Sequence, residues 1–95
     1  MNAPPVIARR LTISGRVQGV GFRYALADEA RARRLSGWVR NRRDGTVEAL
    51  IAGPEAEVEA MIAWARRGPP PARVAEVKVE PAIAEGSEFE IVSTA

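Results

Sequence analysis

No cysteine and no histidine occur in the 95 residues of this chain. The missing cysteine removes disulfide frameworks and thiolate chemistry. The missing histidine removes Ser-His triads, phosphohistidine intermediates and the usual zinc ligands. Lysine is nearly gone as well: Lys78 stands alone, and arginine supplies the rest of the 14 basic residues. Against 12 acidic residues the net charge is +2, too balanced to argue for nucleic acid by itself. Aromatic residues make up 5%, which leaves little for a base-stacking platform. No apolar run approaches the length of a membrane span, so no membrane attachment is expected. Met1–Pro5 is too short and too rich in proline for a signal peptide, which gives a cytoplasmic expectation. The chemistry left open is that of arginine, carboxylates, hydroxyls, amides and the backbone.

Length and an apolar fraction of 46% suit one small domain around one core. Residues 1–7 are expected to form a flexible N-terminal extension and residues 8–95 a single domain. Ala8 to Ser14 alternates, with Leu11 and Ile13 on one face, and predicts a first strand. Phe22 to Arg34 predicts a helix, with Phe22, Leu26 and Ala30 sharing a face. Ser36 to Asn41 predicts a second strand with Trp38 and Val39 on opposite faces. Asp44-Gly45 signals a hairpin turn, and Thr46 to Ala52 a third strand. A second helix is expected to open at Gly53-Pro54, with proline at its first position, and to close at Arg66-Arg67-Gly68 before a run of three prolines. Val74 to Glu80 and Phe89 to Val92 complete the strands.

The order β-α-β-β-α-β predicts an α+β ferredoxin-like sandwich, an antiparallel sheet with two helices on one face. A helical crossover makes the first two strands run parallel. Their C-terminal ends then share one edge, which brings Asn41 to the segment that follows the first strand.

That segment, Gly15-Arg16-Val17-Gln18-Gly19-Val20-Gly21-Phe22-Arg23, is the most informative in the chain. Glycines let backbone N–H groups converge without side chains in the way. The segment ends where a helix starts, and helix N-termini attract anions. Arg23 adds a permanent forked cation at the same place. The expectation is a cradle for one doubly charged group, most simply a phosphoryl.

Two segments carry a family resemblance. Gly15–Arg23 resembles the first acylphosphatase motif. Gly37-Trp38-Val39-Arg40-Asn41, followed by Asp44-Gly45-Thr46-Val47-Glu48 and Gly53, resembles the second, and Gly68-Pro69-Pro70 with Ala72 and Val74 is also similar to that family. The resemblance implies a cofactor-free hydrolase acting on the carboxyl-phosphate anhydride of small-molecule acyl phosphates. It implies Arg23 and Asn41 as catalytic residues and the backbone of Gln18, Gly19, Val20, Gly21 and Phe22 as the phosphate cradle, with no metal site. A monomer is expected at this size.

Two other functions are weighed beside it. One is a non-catalytic anion-binding accessory module of the same fold. The other is RNA binding by the sheet, which the aromatic-free strand Thr46-Val47-Glu48-Ala49-Leu50 disfavours. Trp38 and Trp64 are expected at the core or its edge, and Phe22 beneath the loop. Arg40, Arg42 and Arg43 are expected as a solvated basic hairpin end, with electrostatic steering as the sharper alternative. Gln18 is expected to shape the loop through its side chain without touching the ligand. Tyr24 is left open between solvent and substrate.

Overall fold

The computed structural model describes residues 5–95. Seven elements follow one another: β1 (Val6–Arg16), α1 (Phe22–Ala32), β2 (Ser36–Asn41), β3 (Val47–Pro54), α2 (Glu55–Arg67), β4 (Arg73–Pro81) and β5 (Phe89–Ile91). The five strands form one sheet in the order β4-β1-β3-β2-β5. Both helices pack on one face, where Leu11, Ile13, Val39, Val47, Ala49 and Ile51 meet Phe22, Leu26, Val58 and Met61 in one core. Burying each of the larger of these side chains contributes about 2 kcal/mol. The opposite face carries a smaller cluster of Ala8, Leu50 and Ala52, with Trp38 and Ala82 against it. β3 lies at the centre of the sheet and is buried on both faces from Val47 to Gly53.

The expected sandwich is present, but the sheet is mixed rather than antiparallel throughout. β5 pairs with β2 in parallel, through Gly37↔Phe89, Trp38↔Glu90 and Val39↔Ile91. The reason lies in the chain path: the segment after β4 crosses to the far edge of the sheet, where its direction is not set by a hairpin. β1 also begins earlier than expected. Val6 pairs with Pro54 and Ile7 with Gly53, so these two belong to the sheet and not to the extension. Of the rest of that expected extension, Pro5 is exposed and outside the strand, and residues 1–4 lie outside the described residues.

Both helix boundaries shift by local geometry. Pro54 is not the first helical residue of α2. It is the N-cap, at φ −58° and ψ 142°, and ends β3. α1 stops at Ala32, short of the expected Arg34, because Arg34 adopts a left-handed φ of 56°. Arg34 N–H then donates to Arg31 O at 3.0 Å and Leu35 N–H to Ala30 O at 2.9 Å. This is a Schellman closure with arginine where glycine is usual. Leu35, the next residue, is buried in the core.

Candidate active site

After β1 the chain passes through residues 17–21 before α1 begins. Val17 and Phe22 are buried, and Val20 packs partly against the same core. Phe22 also meets Trp64 edge-on, with ring centroids 5.7 Å apart. Between these anchors Gly19 and Gly21 are exposed. Gly19 and Gly21 hold φ of 73° and 77°, a left-handed region open to glycine at little cost. The first bond of α1 runs from Ala25 N–H to Gly21 O at 3.0 Å. No side chain caps that helix end. The N–H groups of Gln18 to Phe22 therefore find no acceptor among the described residues. Successive free N–H groups at a helix start form an anion-binding concavity.

Arg23 sits one residue into α1 and is half-buried. No carboxylate pairs with it among the described residues, whereas Arg10, Arg33, Arg40 and Arg42 are each held by glutamates. Its guanidinium carbon lies 5.7 Å from the centroid of the Tyr24 ring, and Tyr24 itself is exposed.

Asn41 ends β2 opposite Val47, and Val47 lies opposite Ile13 near the end of β1. The ends of β1 and β2 thus share one edge, as the crossover requires. Asn41 follows Val39 by two residues, so its side chain stands on the helix-covered face. Its Oδ1 is buried and has no hydrogen-bond partner among the described residues. A buried acceptor without a donor is expensive and uncommon, and it marks a place where a donor belongs. Asn41 O in turn accepts from Ala95 N–H at 3.0 Å.

Gln18 joins these two halves. Its Nε2 donates to Arg42 O at 2.7 Å and to Thr46 O at 2.9 Å. Those carbonyls flank the turn between β2 and β3. Asp44 fixes the same turn, accepting from Thr46 N–H at 2.9 Å and from Thr46 Oγ1 at 2.7 Å. The two bonds hold the Asp44 carboxyl below its ordinary range. The Gln18 side chain is thus spent on protein carbonyls, as expected.

The hairpin arginines correct another expectation. Arg40 and Arg42 are not a solvated end. Both donate to Glu48 Oε1, Arg40 through Nε at 2.8 Å and Arg42 through one terminal nitrogen at 3.0 Å. Arg10 approaches Oε2 at 3.7 Å. Glu48 is 4% exposed, the only buried charged residue among those described. Burial by itself raises its pKa, but the hydrogen bonds and charges of Arg40 and Arg42 outweigh it and leave the carboxyl below its ordinary value. Sequence reading passed Glu48 by. The signal was available: a lone carboxylate inside the apolar run Val47–Ala52, set opposite Arg40 once the Asp44-Gly45 turn fixes the register.

Three clefts lie elsewhere, along β5 and over Trp38. A cradle of backbone N–H groups for a single tetrahedral group needs no deep cavity. The arrangement offers donors and a cation for an anion of phosphate size, with an amide acceptor on the neighbouring strand.

A family model described as acylphosphatase matches residues 9–91. An acylphosphatase of Thermococcus kodakarensis is 53% identical over 87 residues, which cover 90% of this chain and 96% of that protein. The crystal structure of acylphosphatase from Bacillus subtilis superposes with a TM-score of 0.86 at 41% identity, covering 93% of this chain and 99% of that one. Full-length HypF, solved in a phosphate- and nucleotide-bound form, matches with a TM-score of 0.89 at 31% identity, over 98% of this chain but 13% of that one. The chain belongs to the acylphosphatase family and is an acylphosphatase, a hydrolase; the non-catalytic alternative is not favoured.

Proposed function

We propose that this member of the acylphosphatase family holds the phosphoryl group of a small-molecule acyl phosphate on the N–H groups of Gln18, Gly19, Val20, Gly21 and Phe22 and on the Arg23 guanidinium, and that Asn41 positions the attacking water. One observation carries the reading. A run of free N–H groups with an unpaired arginine, and a buried amide oxygen lacking a donor, stand at one end of the sheet and are tied together by Gln18.

The chemistry suits residues of this kind. The leaving group is a carboxylate whose conjugate acid has a pKa of about 4, so it departs without protonation. Water oxygen forms the new bond to phosphorus as the P–O bond to the acyl group breaks, and that electron pair leaves with the carboxylate. The water proton passes to a phosphoryl oxygen, so no protein base is required. The transition state is loose, with charge spread over the equatorial oxygens. Arg23 and the loop N–H groups meet that charge, and the fork of arginine allows paired contacts that lysine lacks. The Asn41 Oδ1 accepts from the water and aims its lone pair at phosphorus. The protein grips the phosphoryl end, so the acyl side is read loosely. Action as a monomer is part of the proposal. The expected place of action is the cytoplasm.

The test is hydrolysis of an aromatic acyl phosphate in the presence of EDTA, with Arg23→Ala beside the parent. Turnover that the variant loses by about a hundredfold or more supports the reading. A folded parent protein without turnover, or an active Arg23→Ala, overturns it.

A further inference from the structure

Strand alternation puts Arg40 and Arg42 on the face of the sheet opposite the Asn41 side chain. They are its two chain neighbours, and both are gripped by one carboxylate oxygen of Glu48. Glu48 lies in β3, directly across from Arg40, one residue along from Val47, the partner of Asn41. The clamp is stiffened from outside. Arg40 lies over the Trp38 ring at 4.7 Å, and Arg10 of β1 reaches Glu48 Oε2. On the other side, Gln18 holds the Arg42 carbonyl. The backbone that carries the Asn41 amide is therefore fixed before and after that residue by Arg40 and Arg42 from the opposite face of the sheet. A buried carboxylate is costly unless it is fully partnered, and a hydrophobic pair at this place would serve stability as well.

We infer that Glu48 is a positioning residue for hydrolysis: through Arg40 and Arg42 it sets the direction of the Asn41 amide from the far face of the sheet. This rests on the water-positioning role of Asn41 given above. Glu48 touches neither substrate nor water. Its removal changes where the amide points and leaves the phosphoryl cradle as it was. An aim lost by a fraction of an ångström lowers kcat while binding stays.

The experiment is a double-mutant cycle of Glu48→Gln and Asn41→Ala, read as kcat, KM and competitive inhibition by inorganic phosphate. Glutamine keeps the shape and one acceptor but loses the charge. Glu48→Gln is expected to lower kcat about tenfold with the phosphate inhibition constant unchanged, and to have no further effect in the Asn41→Ala background. A kcat loss of equal size in both backgrounds, or none in the parent, overturns the inference. An Asn41→Ala that keeps full kcat overturns the Asn41 role itself, a separate outcome. If Glu48→Gln does not fold, Arg40→Met takes its place in the same cycle. It keeps an unbranched stem of similar length but loses the guanidinium, which opens one side of the clamp, and the same pattern is required of it.

Discussion

The side-chain amide of Gln18 donates both its hydrogens across the site, to Arg42 O at 2.7 Å and Thr46 O at 2.9 Å. It is the bond between the glycine loop and the β2–β3 turn. Each carbonyl has a second donor of its own, Gly45 N–H at 3.1 Å for Arg42 O and Arg42 N–H at 2.8 Å for Thr46 O. Losing Gln18 therefore strands no acceptor outright.

From this, Gln18→Ala is expected to cost about 1–2 kcal/mol of stability, the ordinary worth of two shared hydrogen bonds. It is expected to lower kcat/KM by about tenfold or more, since the loop and the Asn41 strand lose their common reference. Urea unfolding and steady-state hydrolysis check the two parts. A variant with lower stability and parental kcat/KM would show that the staple serves folding alone.

Asn41→Ala is expected to lower kcat about a hundredfold, with KM little changed. Asn41→Asp keeps an acceptor but aims a negative charge at an anionic substrate, so its KM should rise as well. Measuring kcat and KM separately distinguishes the two. Parental kcat in Asn41→Ala would remove the water-positioning role.

Arg34 closes α1 at a φ of 56°, which glycine adopts more readily. Arg34→Gly is expected to raise stability by about 0.5–1 kcal/mol, the relief of left-handed strain less the greater freedom of glycine in the unfolded chain. The melting temperature should rise by a few degrees with kcat unchanged, because Arg34 lies at the end of α1 away from the loop. Calorimetry of the variant decides the matter, and a lower melting temperature would mean that the arginine side chain contributes contacts worth more than the strain.

Glu48 makes stability depend on pH. Its carboxyl is held below the ordinary value when folded, with Arg40 of β2, Arg42 just beyond the end of that strand and Arg10 of β1 facing it. Its contribution is therefore complete only well above the unfolded value of about 4.3. It is lost as pH falls through the lower folded value. Unfolding free energies of the parent should fall more steeply with acid below about pH 5 than those of Glu48→Gln. Parallel curves for the two proteins would show that the charge of Glu48 is not what the clamp depends on.

Much of the site was legible because it is built from consecutive residues. The glycines, the helix start and Arg23 lie within one short segment, so their joint meaning survives without any tertiary information. Asn41 was legible through topology: a single helical crossover leaves two parallel strands, and their ends must share an edge. Strand β2 and the Asp44-Gly45 turn were legible for the same reason, since turn chemistry and alternation are local.

The sequence by itself determined the order of elements, the hairpin register, the glycine loop and the family. Tertiary structure alone decided what each polar side chain spends its charge on. Arg40 and Arg42 read as solvated in sequence until β3 brings Glu48 beneath them, while Arg23, a residue of the same type, has no carboxylate partner among the described residues. The direction of β5 and the place of Val6 and Ile7 were also decided there, because edge pairing depends on which strand end is free to accept a neighbour. Pro54 became a cap instead of a first helical residue for a similar reason: β3 pairs with β1 as far as Pro54, and the sheet claims it before the helix begins. Local preferences are written in neighbouring residues. The pairing of a buried charge is a long-range matter, settled by which strands share a face and which carboxylate the core leaves within reach.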